Sequence, residues 1–131
     1  MEYIGIFNSN PTAGGTDGAE VSRNGVYSNP VEATVDINGS GSVVACAVRC
    51  ATGYCVDGDV TLRTMTYESG SYSAGSDYIK LSNTANGTFS DSIDISNVED
   101  TNVLFYAKIL PGATLGNHTA AISLEATVIA Q

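Results

Sequence analysis

Apolar and polar residues alternate along most of this chain, and this pattern predicts β-strands. The alternation is clearest at residues 31–37, 60–67 and 119–130. Residues 42–50 form a near-continuous apolar run, which is typical of a central strand covered on both faces. Turn signals rich in Asn, Gly and Pro separate these segments. Further strands are predicted at residues 2–7, 77–82, 89–96 and 101–110, whereas residues 38–41, 57–58, 69–76, 86–87 and 111–112 are predicted as turns or loops.

The spacing of apolar residues between positions 93 and 106 resembles the E strand, corner and F strand of immunoglobulin-like sandwiches. The resemblance implies an all-β, immunoglobulin-like β-sandwich of about seven to eight strands. It also implies that Tyr106 braces the corner and points inward. Lys108 would then point inward and Phe105 outward, so either the face assignment slips near Lys108 or Phe105 is covered by a partner or by the N-terminal arm. The side chains expected to share the core are Ile93, Ile95, Val98, Leu104 and Tyr106.

The first part of the chain differs from the rest. A short apolar strand is followed by a long polar stretch with Pro and Gly, so we divide the chain into an N-terminal strand and Gly-rich arm at residues 1–25 and a sandwich domain at residues 26–131. One hypothesis is that the strand adds to the sheet of a neighbouring chain. The equally weighted alternative is that it is the first strand of this chain's own sandwich. The candidate interface residues are Tyr3, Ile4, Ile6 and Phe7.

The charge of the chain is acidic, with five Lys and Arg against fourteen Asp and Glu and a net charge of −9. Nucleic acids and anionic membrane surfaces attract clustered cations, so neither is an expected partner. The sequence has no basic n-region and no apolar stretch long enough to cross a membrane. If Met1 is the native start, we expect synthesis in a cytoplasm.

Residues capable of chemistry are few, and no pattern assembles them. The one histidine, His118, has no nucleophile tied to it by sequence, so we expect no catalytic residues. A zinc site would need His118 with Cys46, Cys50 and Cys55, and these residues lack the spacing that is usual for zinc ligands. The candidates for calcium are weak, and they are the acidic turn at residues 57–59 and the pair Asp17 and Glu20. We therefore expect no metal and no cofactor. Cys46 and Cys50 are too far apart on one strand to bond, whereas a bridge between Cys50 and Cys55 stays open.

Glycan binding by β-sandwiches commonly uses an exposed aromatic platform. The chain contains no tryptophan, so tyrosines would have to supply one. The candidate surface aromatics are Tyr54, Tyr67, Tyr72 and Tyr78.

Three segments, residues 5–18, 46–54 and 102–108, together resemble small structural proteins of tailed phages and prophages. The resemblance implies a non-enzymatic virion protein, most simply a capsid decoration protein, that is assembled in the host cytoplasm and resides in the virion. It also implies capsid or tail proteins as partners. Because chains of one kind commonly associate symmetrically, we expect a homo-oligomer, as a trimer or another closed assembly on a virion surface. The alternatives are a carbohydrate-binding module or a tail or fibre accessory domain that adheres weakly to cell-surface glycans; a secreted adhesin domain is a third.

Overall fold

The computed structural model describes residues 3–23, 31–36, 43–68, 71–76, 79–109 and 119–131. These residues form thirteen strands and no helix. The all-β class expected from the alternation is therefore confirmed. The strands are β1 (Ile4–Asn8), β2 (Ala19–Glu20), β3 (Ser22–Arg23), β4 (Val31–Asp36), β5 (Val43–Cys50), β6 (Tyr54–Val56), β7 (Val60–Glu68), β8 (Ser71–Ala74), β9 (Ile79–Ser82), β10 (Ser92–Ile95), β11 (Val103–Ile109), β12 (Thr119–Glu125) and β13 (Val128–Ala130).

The strands form two main antiparallel sheets and one short ladder. The first sheet has the order β2-β1-β5-β11-β9. The second sheet has the order β10-β7-β12-β4-β3, and β8 pairs with the far end of β7. Strands β6 and β13 pair only with each other. The strands beyond the expected seven or eight are short, and one of them, β8, lies where a loop was predicted at residues 69–76.

One apolar core joins the two sheets. The first sheet contributes Ile6, Val48 and Phe105, and the second contributes Leu62 and Ile122, all of them fully buried. Because strands alternate their side chains between two faces, each sheet presents one face to this core and the other outward. The arrangement is that of a β-sandwich, in which the two inner faces share the interior.

The step from β10 to β11 crosses from the second sheet to the first, as the E-to-F resemblance implies. The next strand departs from that pattern. In immunoglobulin domains the F and G strands share a sheet. Here β12 follows β11 in the chain but lies in the second sheet, between β7 and β4. The observed strand order is thus that of a sandwich whose successive long strands change sheet.

The face assignment of β11 is corrected by its register. Ile93, Ile95 and Val98 are buried as expected, but Leu104 and Tyr106 lie on the outer face and are only half-buried. Phe105 is 0% exposed and is paired with Cys46, another core residue. Since Phe105 occupies the inner face, Tyr106 cannot do so, and the expected tyrosine corner is not formed.

Strand β1 occupies the intramolecular position, one of the two alternatives left open by the sequence. It pairs with β5 on one side and with β2 on the other. Ile4 and Ile6 are part of the shared core. Strand β3 joins the second sheet through β4, so residues 3–23 contribute to both sheets and share the interior of the segments that follow residue 26. The turns predicted at residues 38–41 and 111–112 lie outside the described residues.

Candidate functional site

The most elaborate polar arrangement of the described residues lies on the outer face of the first sheet. Residues 9–18, which we call the latch loop, turn back over β1 after Asn8. Their backbone enters the left-handed region at Ser9 and Asn10. Gly18 has a φ of +104°, and a Cβ there would lie 3.1 Å from Cβ of Phe7, so this close approach requires glycine. The latch loop therefore covers Phe7 directly.

Asn102 fixes the latch loop to the sheet. Its side-chain amide donates to the carbonyl oxygen of Thr12 at 3.0 Å and to Oδ1 of Asp17 at 3.0 Å. Its backbone carbonyl accepts from the amide of Gly14, and its backbone amide donates to the carbonyl of Gly15. Asn102 is 3% exposed, so these bonds satisfy a polar group that has been removed from water.

Arg49 adds a charged contact to the same network. Its Nη1 donates to Oδ1 of Asn102 at 2.7 Å and to the backbone carbonyl of Asp17 at 2.9 Å. The centre of its guanidinium lies 3.7 Å from the centroid of the Phe7 ring. Arg49 thus supplies the donor for the side-chain oxygen of Asn102 and also covers an aromatic ring that would otherwise face water.

The carboxylate of Asp17 completes the latch. It accepts from the amide of Thr12 and from the Thr12 hydroxyl, each at 2.8 Å. These two bonds, with a smaller contribution from the positive charge of Arg49, lower the pKa of Asp17 from its ordinary value. The ionised form of Asp17 is therefore the form that holds the loop.

A second polar cluster joins the edges of the two sheets. Oδ1 of Asp91 accepts from Nζ of Lys80 at 2.6 Å and from the hydroxyl of Thr64 at 2.7 Å. Lys80 belongs to β9 in the first sheet, and the buried Thr64 belongs to β7 in the second. The hydrogen bond from Lys80 is the largest influence lowering the pKa of Asp91, followed by that from Thr64. This carboxylate connects the sheets at their shared edge.

The predicted interface residues do not form an open surface. Ile4 and Ile6 are in the core, and Phe7 lies beneath the latch loop and Arg49. Tyr3 is half-buried and contacts Tyr54 in an edge-to-face arrangement with 5.1 Å between ring centroids. In this arrangement the chain itself covers the residues proposed to reach a neighbour.

The four candidate surface aromatics are not brought together as one described platform. Tyr54 is half-buried against Tyr3, at the end of the sandwich where β6 and β13 pair. Tyr67 and Tyr72 occupy directly opposite positions in the ladder between β7 and β8. Tyr78 lies outside the described residues.

The cysteines are all unbonded. Cys46 and Cys50 are buried and Cys55 is half-buried. Burial raises the pKa of the Cys46 thiol to about 12 and is the main cause that raises that of Cys50 to about 11. Tyr54 and Val56 pack against the core, which places the intervening Cys55 on the opposite face of β6. The bridge between Cys50 and Cys55 is not formed.

The described residues include no group of three or more His, Cys, Asp or Glu arranged to hold a metal ion. The acidic turn at Asp57 and Asp59 is exposed, as are Asp17 and Glu20. His118 lies outside the part of the chain that the structure describes. Within that part, no helix is long and apolar enough to cross a membrane.

A further surface was not anticipated from the sequence. Beyond the latch loop, the outer face of the first sheet presents a mostly apolar surface, which we call the open face. Val43 is 44% exposed there, and the other members are half-buried. The available signal was Lys108, which shares a face with Tyr106, but the inward assignment of Tyr106 concealed it. The open face consists of Val43, Ala45, Leu104, Tyr106 and Lys108.

Comparison with known proteins adds no family to this description. A scan against protein-family models, a search of curated proteins and a search of solved structures each found no match.

Proposed function

We propose that this chain is a non-enzymatic structural protein of a tailed-phage or prophage virion, with capsid decoration as its preferred role. The proposal rests on the resemblance of residues 5–18, 46–54 and 102–108 to such proteins and on the use that the structure makes of these segments. The first segment contains β1 and the latch loop, the second ends β5 and begins β6, and the third begins at Asn102 and continues along β11.

The observation that carries the proposal is that buried polar side chains are used to fasten segments of the fold together. Asn102 holds the latch loop, and Thr64 binds Asp91 at the junction of the two sheets. Burial also leaves the thiols of Cys46 and Cys50 protonated at neutral pH, which makes them poor nucleophiles. A rigid, sparsely charged sandwich of this kind suits a protein that packs against others.

We also propose that the sandwich is a divergent immunoglobulin-like domain. The crossing from β10 to β11 between the sheets supports this assignment. The position of β12 opposite β11 is the main departure from that arrangement. Immunoglobulin-like sandwiches serve many functions, so this assignment concerns the fold and not the role.

The test begins with the position of the gene, which should lie beside one for a major capsid or tail protein. The purified chain is then mixed with particles assembled from that neighbouring protein, and the bound fraction is measured by sedimentation. We expect saturable binding to capsids with a fixed number of chains per capsid subunit. Denatured chain serves as the control for nonspecific adsorption. Absence of binding to capsids and tails alike would contradict a role in the virion.

The second candidate, weak glycan binding, is favoured by one feature, the alignment of Tyr67 with Tyr72 in the ladder between β7 and β8. Titration with polysaccharides from the host cell surface tests it, with the double variant Tyr67→Ala and Tyr72→Ala as the probe. Glycan binding that this variant abolishes, together with absence of binding to capsids, would replace decoration by adhesion.

A further inference from the structure

The outer faces of the two sheets both carry charges of either sign, and they differ in which described charge is left without an ion pair. On the second sheet, Asp94 and Glu125 flank Thr61 in one row that crosses three strands. Both carboxylates are exposed. On the first sheet, Lys80 and Lys108 stand directly opposite each other in the ladder between β9 and β11. The chain has only five Lys and Arg in total, so two of them in adjacent positions form a notable local concentration.

Lys108 forms no ion pair with a carboxylate among the described residues. Its neighbour Lys80 is bound to Asp91 at 2.6 Å. Lys108 instead has its Nζ 5.6 Å from the centroid of the Phe89 ring. Because no carboxylate among the described residues pairs with Lys108, an incoming carboxylate would be favoured at this place.

Asp94 is the corresponding anion on the other side of the molecule. It accepts a hydrogen bond from the hydroxyl of Thr61 at 2.7 Å. The nearby cation, Arg63, is paired with Glu125 at 3.2 Å. The charge of Asp94 is therefore not neutralised by an ion pair among the described residues.

The surroundings of Lys108 are suited to contact with protein. Solvent-facing sides of antiparallel sheets are commonly polar. On the open face, by contrast, Val43 lies opposite Lys108, and Tyr106 and its partner Ala45 form the next outward-facing pair, followed by Leu104. Because the transfer of apolar surface from water into a protein contact is favourable, burying these side chains favours association.

We propose that the open face of one copy of this chain docks on the outer face of the second sheet of another copy, with Lys108 of the first opposite Asp94 of the second. The contact joins different faces of the two copies. Each pair therefore still has one unused open face and one unused outer face of the second sheet, so further copies can add head to tail. It requires no virion particle, and its test is therefore independent of the proposed function.

The contact is small and we expect it to be weak. Specific stable interfaces bury at least about 1,200 Å² in total, and a face of three strands, spaced about 4.8 Å apart, offers less. Its strength rises where copies are held side by side, because a linked second contact benefits from a high local concentration. The association is therefore measured at high protein concentration in solution.

Sedimentation velocity of the full chain across a concentration series, up to about 1 mM, measures the association. We expect the wild type to form dimers and longer species. Lys108→Glu and Asp94→Lys should each weaken association at least about tenfold, because each places like charges in contact. In an equimolar mixture both contacts between unlike variants pair opposite charges, so the mixture should form dimers and longer species in which the two variants alternate.

Asp59→Lys is the matched control, since it makes the same change of charge as Asp94→Lys at an exposed position just before β7, outside the row that Asp94, Thr61 and Glu125 form. Circular dichroism verifies that each variant is folded. A wild type that stays monomeric throughout would overturn the proposal. So would equal weakening by Asp59→Lys, or a mixture that associates no better than its components. Loss of capsid binding in Lys108→Glu without self-association would assign the open face to a capsid protein and also overturn it.

Discussion

The guanidinium of Arg49 lies 3.7 Å from the centroid of the Phe7 ring, although the two residues are far apart in the sequence. Phe7 is on β1 and Arg49 is near the end of β5, and the pairing of these strands brings them to the same face. The same arginine donates a hydrogen bond to Asn102. One side chain therefore connects the N-terminal strand, the latch loop and the beginning of β11.

Asn102→Ala should destabilise the protein by about 1–3 kcal/mol, because the amide bonded to Thr12 and Asp17 is lost in a site closed to water. Limited proteolysis should then cut within the latch loop faster than in the wild type. Urea unfolding measures the free energy. Asn86→Ala, on an exposed turn, is the control and should change the free energy by no more than about 0.5 kcal/mol. Equal effects of the two substitutions would argue against the latch.

Stability should fall in acid as the latch loses its charge. The pKa of Asp17 is lower in the folded state than its ordinary value of 3.8. The stability that ionised Asp17 adds to the folded state is therefore fully present above about pH 4, and it is lost as the pH falls through the pKa of the folded state. Asp91, whose pKa is also lowered, acts in the same direction.

The measurement is the urea midpoint of the wild type, Asp17→Asn and Asp91→Asn at about pH 7 and about pH 3. Both variants should be less stable than the wild type at the higher pH. Their stability should also fall less than that of the wild type when the pH is lowered. Asp57→Asn, on an exposed turn, is the control carboxylate. A fall in stability that is the same in all four proteins would contradict the role assigned to Asp17 and Asp91.

The inward position of Phe105 predicts a clear difference between neighbouring substitutions. Phe105→Ala should cost about 3–5 kcal/mol, since it empties a fully buried site. Ile95→Ala should cost about 2–5 kcal/mol for the same reason. Tyr106→Ala, on the outer face, should cost about 1 kcal/mol. Unfolding in urea gives all three values, and a larger loss for Tyr106→Ala than for Phe105→Ala would reverse the face assignment.

The three thiols should react at different rates. Cys55 is half-buried, whereas Cys46 and Cys50 are buried with raised pKa values. A thiol reagent at neutral pH should therefore modify Cys55 first and reach the other two only on unfolding. Cys55→Ser should abolish the fast phase in the folded protein. Rapid reaction of a buried thiol in that variant would indicate that the core opens more readily than the structure implies.

The sequence predicted the strands better than their arrangement. Alternation located β4, β7 and β12 because their polar and apolar positions take turns along the chain, whereas a near-continuous apolar run located β5. It failed at β11, where large side chains occupy both faces. Phe105 and Ala107 point inward, whereas Leu104 and Tyr106 point outward. Lys108 was the available sign, since a lysine on the Tyr106 face is costly to bury.

The latch depended on contacts that no local pattern reveals. Asn102 and Asp17 are 85 positions apart, and their meeting requires β1, β5 and β11 to lie side by side. The sequence left open whether residues 4–8 pair with a neighbouring chain or with this chain's own sheet, because that choice also depends on contacts between distant residues. An apolar strand such as residues 4–8 satisfies its backbone equally well in its own sheet or in a neighbour's, and only the register of Ile6 with Val48 selects the first.

The central claim is that residues 3–23 belong to the chain's own sandwich and are held there by the latch. Amide exchange measured by NMR on dilute, monomeric protein tests this claim most directly. The amides of Ala51, Thr12 and Gly14 donate to Tyr3, Asp17 and Asn102, respectively. Protection of all three in the monomer, with loss of protection at Thr12 and Gly14 in Asn102→Ala, is the predicted result. Exchange of these amides at the rate of an unstructured peptide would show that the N-terminal segment is free in the monomer and contradict the account.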